Sequence, residues 1–253
     1  MSVARVVADI AHVHRRPEAA APLETQALHG EAVEVLAGAA DGFVEVRLAG
    51  DGYVGFVRAA ALGAAPEPTH VVAVPASLVY ATPDFKTPPA GMLGLGARVR
   101  VERIEGRYAR LADGRHAIAG HLAAVGTLAT DPVAVAETLL GAPYLWGGKS
   151  WLGIDCSGLV QLAHAACGVR LPRDSGPQER HDLGQSLPPG TALRRGDLVF
   201  WKGHVALARG DGTMIHANAH HMAVAIEGVA EGLARIAAAG DPVTSVRRIG
   251  QAS

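Results

Sequence analysis

Gly153-Ile154-Asp155-Cys156-Ser157-Gly158-Leu159-Val160 places a cysteine where a glycine-containing loop runs into the first turn of an apolar-patterned helix. Unpaired N–H groups and the positive end of the helix dipole meet at such a junction and stabilise an anion. The position therefore predicts a thiol pKa lowered from about 8.5 toward neutrality. By itself a cysteine is more often a small packed residue than a nucleophile. Cys167 serves as the internal comparison. It lies roughly 16 Å farther along the same helix at about 1.5 Å per residue, beyond the Cα separation of about 7 Å that a disulfide tolerates. Among Leu162, Ala163 and Ala166, near the helix end, Cys167 reads as a packing residue.

A nucleophilic thiolate needs a base, and the base needs a group that orients it. His204 opens the strand-like run His204-Val205-Ala206-Leu207-Ala208, and His216 closes the run Thr213-Met214-Ile215-His216-Ala217, with Gly210-Asp211-Gly212 between them. Pairing 204 with 216 centres a hairpin on Gly210 and needs a loop with an odd number of residues. A two-residue Asp-Gly loop instead sends the two rings to opposite faces. The sequence therefore predicts an odd loop. Upstream, Asp131-Pro132 supplies a cap and a first-position proline for a helix through Val133, Val135, Ala136, Leu139 and Leu140. A helix, a glycine-rich loop, a second helix from about Cys156 to Cys167 and then strands at 197–201, 204–209 and 213–217 make an α+β domain over 131–253.

The N-terminal half has a different texture. Val33-Glu34-Val35-Leu36, Phe43-Val44-Glu45-Val46-Arg47-Leu48 and Tyr53-Val54-Gly55-Phe56-Val57 are short valine-rich runs, separated by Gly38-Ala39-Ala40-Asp41-Gly42 and Ala49-Gly50-Asp51-Gly52. That is the pattern of half-buried strands joined by tight turns in a small antiparallel barrel over 1–63. After Ala64-Ala65-Pro66-Glu67-Pro68 the spacing repeats over 69–127, in Val71–Val74, Leu78–Tyr80, Ala97–Val101 and Tyr108–Leu111, with turns at Glu105-Gly106 and Asp113-Gly114.

Composition narrows the function classes. The 253 residues carry 23 basic against 24 acidic side chains, so no chain-wide field favours nucleic acid or an anionic membrane. Two cysteines do not make a disulfide framework and suit a reducing compartment. The apolar runs stop well short of the roughly 18 residues a spanning helix needs. The first sixteen residues, broken by Asp9, His12 and His14, do not resemble a secretory signal, which leads to the expectation of a soluble cytoplasmic protein without membrane or nucleic-acid partners, most simply a monomer. His216, His220 and His221 raise a zinc reading, but Ala217-Asn218-Ala219 gives no acidic ligand at a familiar metal spacing, so neither metal nor cofactor is expected. A phosphate-loop reading of Gly147-Gly148-Lys149-Ser150 fails because Ala142 and Pro143 stand where its first glycine belongs.

Six blocks in order resemble the NlpC/p60 papain-like peptidases of bacterial cell-wall peptides: Pro143–Gly148, Gly153–Gly158, Leu171–Ser175, Arg195–Phe200, Gly203-His204-Val205 and Met214–Ala217. The halves at 1–63 and 69–127 resemble bacterial SH3 domains, most visibly at Asp51–Val57. The resemblance implies a fold class of α+β, a papain-like catalytic domain preceded by two small SH3-like β-barrels. It implies a cysteine endopeptidase that cuts between γ-D-glutamate and an L-diamino acid (diaminopimelate or lysine) in murein peptides with a free N-terminal L-alanine, and the N-terminus unlike a secretory signal adds the expectation of a role in cytoplasmic recycling. Cys156 is then the nucleophile, His204 the base and His216 its orienting partner. Tyr144 joins the Cys156 N–H at the oxyanion. Asp155, Ser157, Ser175 and Trp146 contact substrate, Asp155 through the free α-amino group. Structurally, Asp155 could instead cap the helix, Ser175 cap or turn its loop and Trp146 belong to the core. Glu24 and Tyr53 are candidates for restricting the substrate N-terminus, with plain readings as a solvated strand residue and a barrel aromatic. The competing classes are a non-catalytic wall-peptide binder and an amidase or acyltransferase using the same thiol, which shares the acyl-enzyme.

Overall fold

The structure is a computed structural model that describes residues 2–38, 41–182, 184–188 and 190–250. Ala39 and Ala40 of the first expected turn lie outside the described residues, as do Met1 and 251–253 at the ends of the expected domains. The chain divides into two compact units, Met1–Thr127 with Lys149–Trp151, and Leu128–Gly148 with Leu152–Ser253.

In the first unit, seven antiparallel strands run in the order Leu23–Leu28, Ile10–His14, Val54–Arg58, Phe43–Leu48, Ala32–Gly38, Ser2–Val6, Leu62–Gly63. Alternation sends Val6, Val13, Val33, Val46, Leu48 and Val57 into one shared core, each almost fully buried. The following segment forms a five-stranded and a three-stranded antiparallel sheet, in the orders Pro89–Gly94, Ala76–Tyr80, His116–Ile118, Tyr108–Leu111, Val101–Glu105 and Arg98–Val99, His70–Val72, Leu122–Ala124. Both segments end the same way, in a one-turn 3-10 helix (Ala59–Ala61, then Ala119–His121) followed by a short closing strand. Asp9 ties the two together within this unit. Its carboxylate accepts from Arg115 Nη1 at 2.6 Å and from Met92 N at 2.9 Å.

The second unit is α+β. Helix α1 (Pro132–Glu137) starts as the sequence indicates, with Asp131 accepting from Val133 N at 2.9 Å and proline at the first position. Helix α2 (Cys156–Ala166) is buried from Cys156 through His164 and packs across two central strands. The six-stranded sheet runs in the order Gln185–Ser186, Ser245–Arg248, Asp197–Trp201, His204–Ala208, Thr213–Asn218, Ala223–Gly228. The elements beyond what the sequence reading named include the strand Ala223–Gly228 and helix α4 (Val229–Ala238), together with the strands Gln185–Ser186 and Ser245–Arg248. Leu233 and Ile236 of α4 cover the sheet face that carries Val199, Trp201, Ala206 and Met214. The short helix α3 (Ser175–Glu179) follows the Leu171–Asp174 segment. No helix among the described residues is long and apolar enough to cross a membrane.

Gly158, in the first turn of α2, is required by space. A Cβ there meets the Gly148 carbonyl oxygen at 2.4 Å and Asp155 Oδ1 at 3.0 Å. Gly158→Ala is expected to lower stability by about 1–3 kcal/mol, the usual range for overpacking a tight site, read as a reduced urea midpoint at an unchanged slope.

Candidate active site

The junction that opened the sequence reading is built around one carboxylate. Asp155 is the N-cap of α2, and its Oδ1 accepts from Gly158 N at 2.7 Å. Its Oδ2 accepts from Gly147 N at 2.8 Å. Arg173 completes the arrangement, with Nη1 on Oδ1 at 2.9 Å and Nη2 on Oδ2 at 2.7 Å, and with further bonds to Ser157 Oγ at 3.0 Å and the Gly148 carbonyl at 3.0 Å. Ser157 Oγ donates back to Asp155 Oδ1 at 3.3 Å. A carboxylate offers about four acceptor directions, and this one is taken up by donors of its own chain. The capping alternative for Asp155 is thus what the geometry displays, with Arg173 as its ion-pair partner. Arg173 lies within the Leu171–Ser175 block, and no local pattern marked it as the partner of a carboxylate 18 residues away.

Cys156 is 7% exposed, and the polar neighbours of its sulfur are the backbone N–H groups of Val205 and Ser157. Burial, then the adjacent Asp155 charge, push the thiol up to about 11 against the opposing pull of those N–H groups and Arg173. This reverses the direction predicted from the helix end. The dipole favours a thiolate, but the helix N-terminus is enclosed and already holds a carboxylate, so desolvation wins. Cys167 is a free cysteine at the C-cap of the same helix.

The odd loop is present and the expected pairing is displaced. Leu207 faces Ile215 and Ala208 faces Met214, so the hairpin centres on Asp211, not Gly210. Arg209 N bonds to the Thr213 carbonyl, and Gly210 and Gly212 turn at φ +85° and +82°, where side chains are disfavoured. Asp211 Oδ1 takes Thr213 N at 3.1 Å, which fixes the three-residue turn. Extending that register sets Ala206 opposite His216. His204 and His216 therefore share a face as diagonal neighbours, and their rings still meet, Nε2 of His204 lying 2.9 Å from Nδ1 of His216. Trp201 flanks His204 with ring centroids 5.4 Å apart.

The row continues. His216 Nε2 lies 2.7 Å from Glu227 Oε1, and Arg235 Nη2 donates to the same oxygen at 2.5 Å. Burial, first of all, holds both imidazoles down, His204 to about 3 and His216 to about 4. Glu227 was missed by the sequence reading, because its strand went unrecognised. His216, His221 and Glu227 also fall within a metal-sized cluster, their ligand atoms within 4.8 Å of one another. The 2.7 Å contact and the guanidinium on Glu227 are nevertheless the marks of a hydrogen-bonded relay, since two ligands about 2.0 Å from a tetrahedral zinc stand farther apart than that.

Tyr144 is held by a bond from its backbone N–H to the Met222 carbonyl and by a bridge to Ile154, just ahead of Cys156. Burial and then the nearby Cys156 and Asp155 charges raise its phenol to about 12, so the hydroxyl keeps its proton. Trp146 is 65% exposed, which removes its core reading. Ser175 is buried as the first residue of α3, not its cap. In the other unit Tyr53 Oη donates to Glu24 Oε2 at 3.1 Å, while Glu24 Oε1 takes Arg15 Nε at 2.5 Å.

Residues 141–236 match the NlpC/P60 family, and residues 13–62 match the bacterial dipeptidyl-peptidase SH3 domain. The chain therefore contains an NlpC/P60 domain and, ahead of it, a bacterial SH3 domain of this type. A gamma-D-glutamyl-L-lysine dipeptidyl-peptidase of Bacillus cereus is 41% identical over 96 residues, which are 35% of this chain and 28% of that protein. Peptidoglycan endopeptidase RipB of Mycobacterium tuberculosis is 40% identical over 100 residues, 33% of this chain and 40% of that one. The alignments thus span well under half the length of these two relatives. Along its full length the chain is similar to the crystal structure of an NlpC/P60 family protein from Bacillus cereus, at a TM-score of 0.82 and 25% identity, covering 98% of this chain and 99% of the other.

Two outcomes test the electrostatics. Arg173→Met strands the Asp155 charge in a buried site and is expected to cost about 3–5 kcal/mol by chemical denaturation, with Arg173→Met/Asp155→Asn recovering part of the loss. In a Cys167→Ala background, alkylation of Cys156 by iodoacetamide is expected to climb through pH 9 and beyond, following a thiol near 11. A plateau by pH 7 contradicts that.

Proposed function

We propose that the NlpC/P60 domain is a cysteine endopeptidase that hydrolyses the γ-D-glutamyl to L-diamino acid bond of murein peptides with a free N-terminal L-alanine. The observation that carries the reading is the His204–His216 contact at 2.9 Å beside a thiol that the backbone N–H of Val205 holds to the same strand. His204 Nε2 is committed to His216, which leaves Nδ1 for the thiol proton. A thiol near 11 and an imidazole near 3 rest as a neutral pair. Proton transfer therefore accompanies attack, as general-base catalysis. The Cys156 sulfur bonds to the amide carbon, and the carbonyl oxygen takes up charge against the Cys156 N–H and the Tyr144 hydroxyl. His204 returns the proton to the leaving amine, and water attacks the thioester through the same base. His216 keeps the base in position.

Trp146, exposed on the loop before Gly147, and Ser157 and Ser175 at the starts of α2 and α3 are the proposed contacts for the D-glutamyl unit. Asp155, with its oxygens held by Arg173 and backbone N–H groups, is proposed to act on the substrate amine through the electrostatics of the pocket. Cys156, His204, Tyr144 and these contacts all belong to residues 131–253, the catalytic domain of the proposed three-part organisation. Residues 69–127 are proposed as a second SH3-like barrel on the strength of the repeated 3-10 helix and closing strand. A free L-alanine amine arises once a stem peptide has left the glycan strand, which favours recycling of released peptides, in the cytoplasm, over remodelling of intact wall. Recovery of the native protein mainly outside the cytoplasm contradicts that placement.

Mass spectrometry of L-Ala-γ-D-Glu-diaminopimelate digests tests the activity. Wild type is expected to release free diaminopimelate from the unblocked peptide and at least 100-fold more slowly from its N-acetyl form, and Cys156→Ala to release none. No release by folded wild-type protein from any γ-D-glutamyl peptide overturns the proposal.

A further inference from the structure

Beyond the histidine pair, the sheet face under α4 carries the Glu227 carboxylate and α4 itself the Arg235 guanidinium, neither of which has a part in the proposed chemistry. Glu227 stands opposite Met214 in its ladder, two residues along from Ala225, the partner of His216. It therefore reaches His216 by the same kind of diagonal by which His216 reaches His204. Its carboxylate is ionised, held below the usual range by Arg235 and His216 against the effect of burial. An ionised carboxylate accepts and cannot donate. That fact propagates along the row. The 2.7 Å contact obliges His216 Nε2 to carry a proton. A neutral His216 then has a bare Nδ1, and the 2.9 Å contact obliges His204 Nε2 to carry the next proton. A neutral His204 is left with a bare Nδ1, the state in which it can take a proton from a thiol.

We propose that Glu227, held by Arg235, is a positioning residue that fixes the proton arrangement of both histidines and so presents His204 as a base. The proposal rests on the assignment of Cys156 and His204 above and deepens it by one further carboxylate. The surroundings are shaped to hold that carboxylate in place. Arg235, in the last turn of α4, bonds the oxygen that His216 uses. Gly232, buried on the inner side of α4, allows this approach, since a Cβ there meets Met214 Cε at 2.1 Å and Glu227 Cδ at 3.0 Å. Without Glu227, Arg235 is free to donate to His216 Nε2. His216 then carries its proton on Nδ1, His204 must accept at Nε2, and its proton sits on Nδ1, where it blocks the base.

The test reads tautomers and turnover in the full chain. With 15N-labelled histidine and assignments from His204→Gln and His216→Gln, long-range 15N–1H spectra at pH 7 are expected to show both residues protonated on Nε2 in the wild type. Glu227→Leu is expected to move both protons to Nδ1 and to lower kcat on the muropeptide by about 10–100-fold with KM little changed, as loss of a partner behind a functional histidine does. Glu227→Gln, whose carbonyl oxygen can still accept from His216, is expected to keep the wild-type tautomers and to stay within about 10-fold of wild-type kcat, since it loses charge but not the hydrogen bond. A wild-type His204 protonated on Nδ1 overturns the proposal, even if the leucine variant fails to fold. So does a folded Glu227→Leu that retains Nε2 protons or full kcat. Wild-type protein that shows the stated tautomers and cleaves no muropeptide instead removes the assigned reaction and leaves the proton arrangement standing.

Discussion

A single buried ion pair, Arg173 with Asp155, governs where the nucleophile stands. The carboxylate gathers Gly147 N, Gly158 N and the guanidinium, and the guanidinium gathers the Gly148 carbonyl and Ser157 Oγ. Loop, helix start and the motif ahead of α3 are thereby tied at one point. Burying two charges is costly, and an apolar replacement of equal volume commonly does as well for stability. What such a replacement lacks is direction. Two ions with fixed donor and acceptor geometry hold the Cys156 backbone N–H at one position, and a site for a developing oxyanion tolerates little error there.

On the sheet, position is set by register. His204, His216 and Glu227 occupy neighbouring strands, and each is offset from the residue directly across by two positions, so long side chains meet obliquely on one face. A slip of one residue in either hairpin turns its polar member to the opposite face. The turns carry that responsibility. Asp211 pins the three-residue loop between the histidines, and Met222, at φ 51°, closes the turn before the Glu227 strand.

Much of this was legible in the chain. Proline after aspartate at 131–132, valine alternation in the N-terminal strands and glycines flanking Asp211 each constrain the backbone locally, and local constraints survive into the fold. Cys156 at a helix start and the two histidines at the ends of facing strands were legible for the same reason. What was not legible depends on partners distant in sequence. The protonated state of Cys156 followed from enclosure, which a helix-end argument leaves out. The Asp155–Arg173 pair joins residues 18 apart. The Glu227 contact requires the register of a strand whose brief run, Ala223-Val224-Ala225-Ile226, offers little to tell it from a loop.

The enclosure of Cys156 also bears on the durability of the protein. Peroxides attack thiolates far faster than thiols, and they must first reach the sulfur. A sulfur 7% exposed and almost wholly protonated at neutral pH presents oxidants with little of the reactive form. Such a cysteine can pass through a period of oxidative stress in its reduced state without a neighbouring thiol to rescue it, a chemical patience that an exposed, pre-ionised nucleophile lacks.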